Sequence, residues 1–84
     1  MINKEILKKQ IIYRSTHRGS KEMDLLLGTF VKKNIDKFSD IELKNLENLM
    51  KMEDEILQKW YFEKKIKDSI FINNVSQMFI KFKL

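Results

Sequence analysis

The absence of proline is the feature that most limits how this chain can fold. None of its 84 residues is proline, and only two, Gly19 and Gly28, are glycine. Because these two residue types interrupt α-helices most strongly, the composition favours long helices joined by short turns. The chain also has no cysteine, and its only imidazole is His17. Disulfides and thiolate metal sites are thereby excluded, and we expect no metal site.

Apolar residues recur at helical spacing in five segments. The predicted helices cover residues 3–15, a segment from Ser20, residues 39–50, residues 54–62 and residues 67–82. The sequence Ser39-Asp40-Ile41-Glu42 fits a capping box at the start of the third helix. Residues 69–72 also fit a strand. The predicted core residues are Ile6, Leu7, Ile11, Met23, Leu26, Leu27, Phe30, Val31, Leu43, Leu46, Leu49, Met50, Ile56, Leu57, Trp60, Tyr61, Ile70, Val75, Phe79 and Phe82.

We therefore predict an all-α fold, a small five-helix bundle with short loops that forms one domain over residues 1–84. A chain of this length buries roughly 64% of its unfolded surface, which leaves little room for an enclosed substrate cavity. No apolar run approaches the roughly 20 residues of a membrane span. The N-terminus lacks the apolar region of a signal peptide, so a cytoplasmic protein is expected.

The net charge of +5 is unevenly distributed. Residues 1–38 carry nine basic against four acidic side chains (+5), residues 39–58 two against six (−4), and residues 59–84 six against two (+4). Such a basic balance is one sign of nucleic-acid binding. The acidic middle segment and the lack of interleaved aromatic and basic residues favour a solvated, lysine-rich surface instead.

The two arginines lie together in a chain whose other basic residues are all lysine. Arg14 and Arg18 are four residues apart, flank His17 and adjoin Gly19. Arginine presents a planar fork of donors that lysine cannot copy. If the first helix continues through residue 18, both guanidiniums project from one face; if it stops earlier, they line the corner before the second helix. Glu22 is close enough to pair with one of them. The alternative interpretation is that Arg18 and Glu22 form only a surface ion pair that ties the first helix to the second and is worth ~0–1 kcal/mol.

Residues 13–30, YRSTHRGSKEMDLLLGTF, carry a resemblance to a known family. The segment resembles the signature of the SdhE/YgfY family, also called the succinate dehydrogenase assembly factor 2 family, in its alphaproteobacterial version. The defining Arg-Gly-x-x-Glu element is met by Arg18, Gly19 and Glu22, and Gly28 falls on a glycine of the family.

The similarity extends over about residues 6–62. Residues 39–50 resemble the third helix of the family, and residues 53–55 with Trp60 resemble its acidic corner and the helix that contains its tryptophan. The Asp-Leu pair usual in that corner is replaced here by residues 56–57, Ile-Leu, and the proline common after the tryptophan helix is absent.

The resemblance implies an assembly factor that binds the flavoprotein subunit of succinate dehydrogenase, and in some bacteria that of fumarate reductase. Such factors promote covalent attachment of FAD to a histidine of that subunit. The flavoprotein forms the bond itself, so the resemblance implies no enzymatic activity and no stably bound cofactor. The factor would act by stabilising a competent conformer of its partner. The implied partner-binding residues are Arg18, Gly19 and Glu22, with Arg14, His17 and Asp24 as further contacts.

Other functions remain open from the sequence. An antitoxin or another protein-interaction module is the first alternative, and a helical nucleic-acid-binding domain is the second. An enzyme is a third, since His17 has Ser15, Thr16 and Ser20 nearby, although no third group completes a catalytic set. We expect a monomer that contacts neither nucleic acid nor membrane.

Overall fold

The computed structural model describes residues 3–63 and 73–84, and within those ranges it contains five α-helices and no β-strand. The all-α prediction is confirmed. The helices are α1 (Lys4–Thr16), α2 (Lys21–Asn34), α3 (Asp40–Met50), α4 (Asp54–Glu63) and α5 (Asn74–Lys81), and a single 3₁₀ turn (Ile35–Lys37) joins α2 to α3. In these same ranges no helix combines the length and the apolar character that crossing a membrane requires.

Side-chain caps explain where the helices begin. Ser20 and Ser39 occupy the N-cap positions of α2 and α3, and each hydroxyl accepts a hydrogen bond from a backbone N–H of the first turn. The capping box predicted at α3 is present: Ser39 Oγ accepts from Glu42 N at 3.2 Å, and Ser39 N donates to Glu42 Oε1 at 2.9 Å. These bonds satisfy amides that the helix itself leaves without partners.

The last helix begins later than predicted. Asn73 has an extended backbone (φ −148°, ψ −180°), and its side chain caps α5 by accepting from Ser76 N. A helix cannot run through this residue, so the predicted segment 67–82 is wrong at Asn73. Its earlier part, residues 67–72 with Ile70 and the alternative strand, lies outside the described residues. Phe82 follows α5 with an extended backbone and stays half-buried.

The core forms around one face of α2, which packs against α1. Every predicted core residue of α2 and α3 is buried. Phe79 from α5 is fully buried at the centre, where its ring contacts the rings of Phe30, Trp60 and Tyr61. Truncating such a ring to alanine typically costs about 3–5 kcal/mol. The residues that line this core are Leu7, Ile11, Met23, Leu26, Leu27, Phe30, Val31, Ile35, Phe38, Leu43, Leu46, Leu49, Met50, Leu57, Trp60, Val75 and Phe79.

One predicted core position is wrong. Ile6 is 54% exposed, whereas Leu7 and Ile11 are buried. Residues four apart lie on the same side of a helix, but neighbouring residues are turned by about 100°. The buried face of α1 therefore follows Leu7 and Ile11, and Ile6 is left on the outside.

Candidate functional site

The arginine-containing segment forms the turn between the first two helices, which we call the α1–α2 corner (His17 to Ser20). Helix α1 ends at Thr16, and His17 has left the helical conformation (φ −126°, ψ 49°). Of the two arrangements left open by the sequence, the structure shows the second: Arg18 lies in the corner rather than on a helix face. Ser20 then begins α2 by accepting a hydrogen bond from Met23 N at 3.2 Å.

The side chain of Arg18 points into the molecule and is only 8% exposed. Its Nε donates to Asp54 Oδ1 at 2.6 Å, its Nη1 donates to the carbonyl of Met50 at 2.5 Å, and its Nη2 donates to the carbonyl of Met52. Met50 is the last residue of α3, where a helix leaves its carbonyl oxygens without partners and carries partial negative charge, and Met52 lies in the turn before α4. Arg18 therefore joins the corner to the end of α3 and the start of α4.

This geometry corrects two expectations for Arg18. The sequence placed Glu22 close enough to pair with one of the two arginines, and the resemblance implied that Arg18 binds a partner protein. Instead, the carboxylate that pairs with Arg18 is Asp54, and its three nitrogens all donate inward. Burial of a guanidinium is tolerated only where acceptors surround it, and the end of α3 supplies them.

Two carboxylates hold the backbone of the corner. Arg18 N donates to Asp24 Oδ1 at 2.5 Å, and Gly19 N donates to Asp54 Oδ2 at 2.7 Å. A Cβ on Gly19 would lie 3.3 Å from that same Asp54 oxygen, so the absence of a side chain permits this close approach. Gly19 itself is exposed. The corner thus presents bare backbone to the outside while its amides are bound from within.

The remaining predicted site residues lie on the outside of the corner. His17 stacks on the ring of Tyr13, with the ring centroids 3.9 Å apart and the planes at 14°, and its Nδ1 lies 2.8 Å from the Tyr13 carbonyl. Arg14 and Glu22 are both exposed. Neither forms an ion pair with any residue in the described ranges.

Glu22 also borders an open groove of about 440 Å³ beside the corner. Leu25 and Phe62, which line it, are 59% and 61% exposed. The anionic side chain of Glu22 therefore borders exposed apolar surface.

Gly28 of α2 packs against the end of α1, next to the corner. A Cβ on Gly28 would lie 3.0 Å from Cγ2 of Thr16, the last residue of α1. The glycine therefore lets α1 and α2 approach closely just before the corner.

Sequence reasoning missed the pairing of Asp54, although it noted an acidic corner at residues 53–55. The signal available was a carboxylate in the first turn of a predicted helix. Nothing in the local pattern indicated that its partner lay 36 positions earlier. Among residues 3–63 and 73–84, no three potential metal-ligating side chains cluster together.

Comparison with known proteins gives one family match and several curated relatives. The family model described as "Flavinator of succinate dehydrogenase" (Sdh5) matches residues 9–83. The chain is 38% identical over 55 residues to a "FAD assembly factor SdhE" of Acetobacter pasteurianus, which covers 66% of the chain and 50% of that relative. It is 37% identical over 68 residues to "Succinate dehydrogenase assembly factor 2, mitochondrial" of Dictyostelium discoideum, covering 75% of the chain and 48% of that relative.

A protein of the same name from Arabidopsis thaliana is 34% identical over 61 residues, which covers 73% of the chain and 32% of the relative. The chain thus spans half or less of the length of these curated relatives. No solved structure matches it significantly.

Proposed function

The chain belongs to the Sdh5 family, and from this membership we propose that it promotes covalent attachment of FAD to the flavoprotein subunit of succinate dehydrogenase. The observation that carries the proposal is the family match over residues 9–83, which includes the whole α1–α2 corner. The flavoprotein subunit of fumarate reductase is a second partner that we propose on the resemblance described above.

We propose that the corner is the docking site. Gly19 and Glu22 contact the flavoprotein directly, because both are exposed and Glu22 has no partner within the described ranges. Arg14 and His17 extend the contact along the end of α1. Arg18 and Asp24 act indirectly. The guanidinium of Arg18 bonds to Asp54, and the carboxylate of Asp24 accepts from the backbone N–H of Arg18, so that both fix the backbone that the partner contacts.

A rigid corner suits the mechanism that we propose. A partner that binds one conformer of the flavoprotein more tightly than the others raises the population of that conformer. Contacts already ordered before binding lose less conformational entropy on association. The bond between Arg18 and Asp54 orders the corner before binding. Less of the binding free energy is then lost in ordering the corner, and more of it can favour the flavinylation-competent conformer of the flavoprotein.

The proposed role is not catalytic. The protein arranges the flavoprotein, the flavoprotein forms the bond to FAD, and the factor retains no cofactor. We further propose that it acts as a monomer in the cytoplasm, which size-exclusion chromatography with light scattering and cell fractionation test.

The direct test is reconstitution. Purified apo-flavoprotein subunit is incubated with FAD, with and without this protein, and covalent flavin is read by fluorescence in a denaturing gel. We expect a clear increase in covalent flavin when the protein is present. An unchanged yield, with correctly folded protein and flavoprotein, contradicts the proposal.

A further inference from the structure

The outward face of α1 combines exposed apolar and cationic side chains. A shallow depression of about 310 Å³ on this face is lined by Ile6, Lys9, Gln10, Tyr13 and Arg14, which we call the α1 outer stripe. Ile6 is 54% exposed and Tyr13 is 62% exposed. The opposite face of the same helix contributes Leu7 and Ile11 to the core, and neither Ile6 nor Tyr13 takes part in it.

The apolar part of the stripe is ordered in advance. Tyr13 is stacked against His17 with the planes at 14°, which fixes its ring at the point where the stripe reaches the α1–α2 corner. A side chain that is already held loses less rotamer entropy on binding than a free one. Because Tyr13 belongs to the stripe and His17 to the corner, their stacking also makes the two surfaces continuous.

The charges of α1 divide between its two sides. Lys4 pairs with Asp40 at 3.3 Å and Lys8 pairs with Asp36 at 3.2 Å. Lys9 and Arg14, which belong to the stripe, form no ion pair with any described residue. The helix thus neutralises the cations that face its own molecule and leaves two cations beside exposed apolar surface.

From this arrangement we infer that the α1 outer stripe is a second contact surface for the flavoprotein subunit, complementary to a segment that carries apolar side chains flanked by carboxylates. The inference rests on the proposed function and adds the surface and the chemistry of the partner segment. Opposite charges across such an interface increase the association rate and the specificity of docking.

Nucleic acid fits the stripe less well. Two cations neutralise few phosphates, whereas nucleic-acid-binding proteins generally make several such contacts. His17 occupies one of the two faces of the Tyr13 ring, which leaves a single face on which a base could stack. A protein segment with carboxylates and apolar groups uses both parts of the stripe.

The test compares Arg14→Glu with Lys32→Glu. Both residues are exposed cations in the last turn of their helices, so the two reversals have the same effect on net charge and a similar effect on the helix dipole. The dissociation constant for purified apo-flavoprotein subunit is measured at low and high salt. We expect Arg14→Glu to weaken binding about tenfold at low salt and to reduce its salt dependence, while Lys32→Glu stays within about twofold of the wild type.

Tyr13→Ser tests the apolar part, and we expect it to weaken binding at both salt concentrations. Wild-type binding by Arg14→Glu and Tyr13→Ser, while Glu22→Ala reduces binding, overturns the stripe together with the contact proposed for Arg14, and leaves the docking of Gly19 and Glu22 on the flavoprotein standing. Failure of the wild-type protein to bind or to raise covalent flavin overturns both. Loss of affinity for a single-stranded RNA probe, with unchanged affinity for the flavoprotein, assigns the stripe to nucleic acid and overturns the inference.

Discussion

Arg18 and Asp54 are 36 positions apart in the chain, yet the Nε of the first lies 2.6 Å from the Oδ1 of the second. The same carboxylate accepts the backbone N–H of Gly19 through its other oxygen. One side-chain pair therefore fixes the position of the corner relative to α3 and α4. The structure assigns to Arg18 the role of an internal brace, and the surface that it braces is the one that we propose meets the flavoprotein.

Removing the brace should destabilise the fold. Arg18→Ala removes the guanidinium that donates to Asp54 Oδ1 and to the carbonyls of Met50 and Met52. Breaking a fully buried pair costs about 3–5 kcal/mol, and because Asp54 is 26% exposed we expect about 2–3 kcal/mol. For a domain of this size that corresponds to a fall in Tm of roughly 10–20 °C. Thermal and urea unfolding followed by circular dichroism measure it.

The matched control for this prediction is Arg14→Ala, which removes an exposed arginine from the last turn of α1 and should change stability by less than about 0.5 kcal/mol. Arg18→Lys keeps the charge but loses the fork, and we expect an intermediate loss. Equal stability of Arg18→Ala and Arg14→Ala would rule out the brace.

The close approach of α1 and α2 gives a second prediction. Alanine is favoured over glycine within a helix by about 1 kcal/mol, but the new Cβ at position 28 meets Cγ2 of Thr16 at 3.0 Å. Thr16→Ser deletes that methyl group and keeps the hydroxyl that bonds to the Ile12 carbonyl. Gly28→Ala should therefore be more stabilising in the Thr16→Ser background than in the wild type. A double-mutant cycle with no coupling between the two positions would show that the methyl contact does not limit residue 28.

The capping box at α3 gives a prediction about pH. The hydrogen bond from the Ser39 backbone N–H, with further bonds from Asn74 and the Ser39 side chain, holds the pKa of Glu42 below its ordinary value. A group whose pKa is lowered by folding contributes stability above its unfolded pKa, and that contribution is lost as the pH falls through the folded pKa. The stability advantage of the wild type over Glu42→Gln should therefore be present at pH 7 and diminish below about pH 4. Urea midpoints of both proteins across this range measure the difference, and a difference that does not change with pH would contradict it.

Local patterns in the sequence account well for the helices themselves. Ser39 and Glu42 form the predicted capping box, and the apolar positions of α2 are buried because their spacing matches the helical repeat. The prediction for Ile6 was wrong because Ile6 is next to the buried Leu7 in sequence, but the two side chains point in different directions from the helix. The start of α5 was misplaced because a capping asparagine, Asn73, was not recognised.

The site was harder to predict than the helices. The position of the corner follows from residues 14–22, all of which are close in sequence. The orientation of Arg18 depends on Asp54 and on the carbonyls of Met50 and Met52, and such contacts are set by how the helices pack rather than by any local spacing. The nearest carboxylate in sequence, Glu22, was therefore the wrong partner.

The most direct test of the account is the yield of covalent flavin in purified flavoprotein subunit incubated with FAD and either wild-type protein, Glu22→Ala, Gly19→Arg or Glu5→Ala. Glu5 and Glu22 are both acidic residues in the first turn of a helix, but Glu5 lies at the far end of α1 from the corner. Circular dichroism confirms that each variant is folded. We expect Glu22→Ala and Gly19→Arg to lower the yield toward that of the reaction without factor, while Glu5→Ala matches the wild type. Wild-type yields with both Gly19→Arg and Glu22→Ala would contradict the claim that the α1–α2 corner and the adjoining first turn of α2 dock on the flavoprotein.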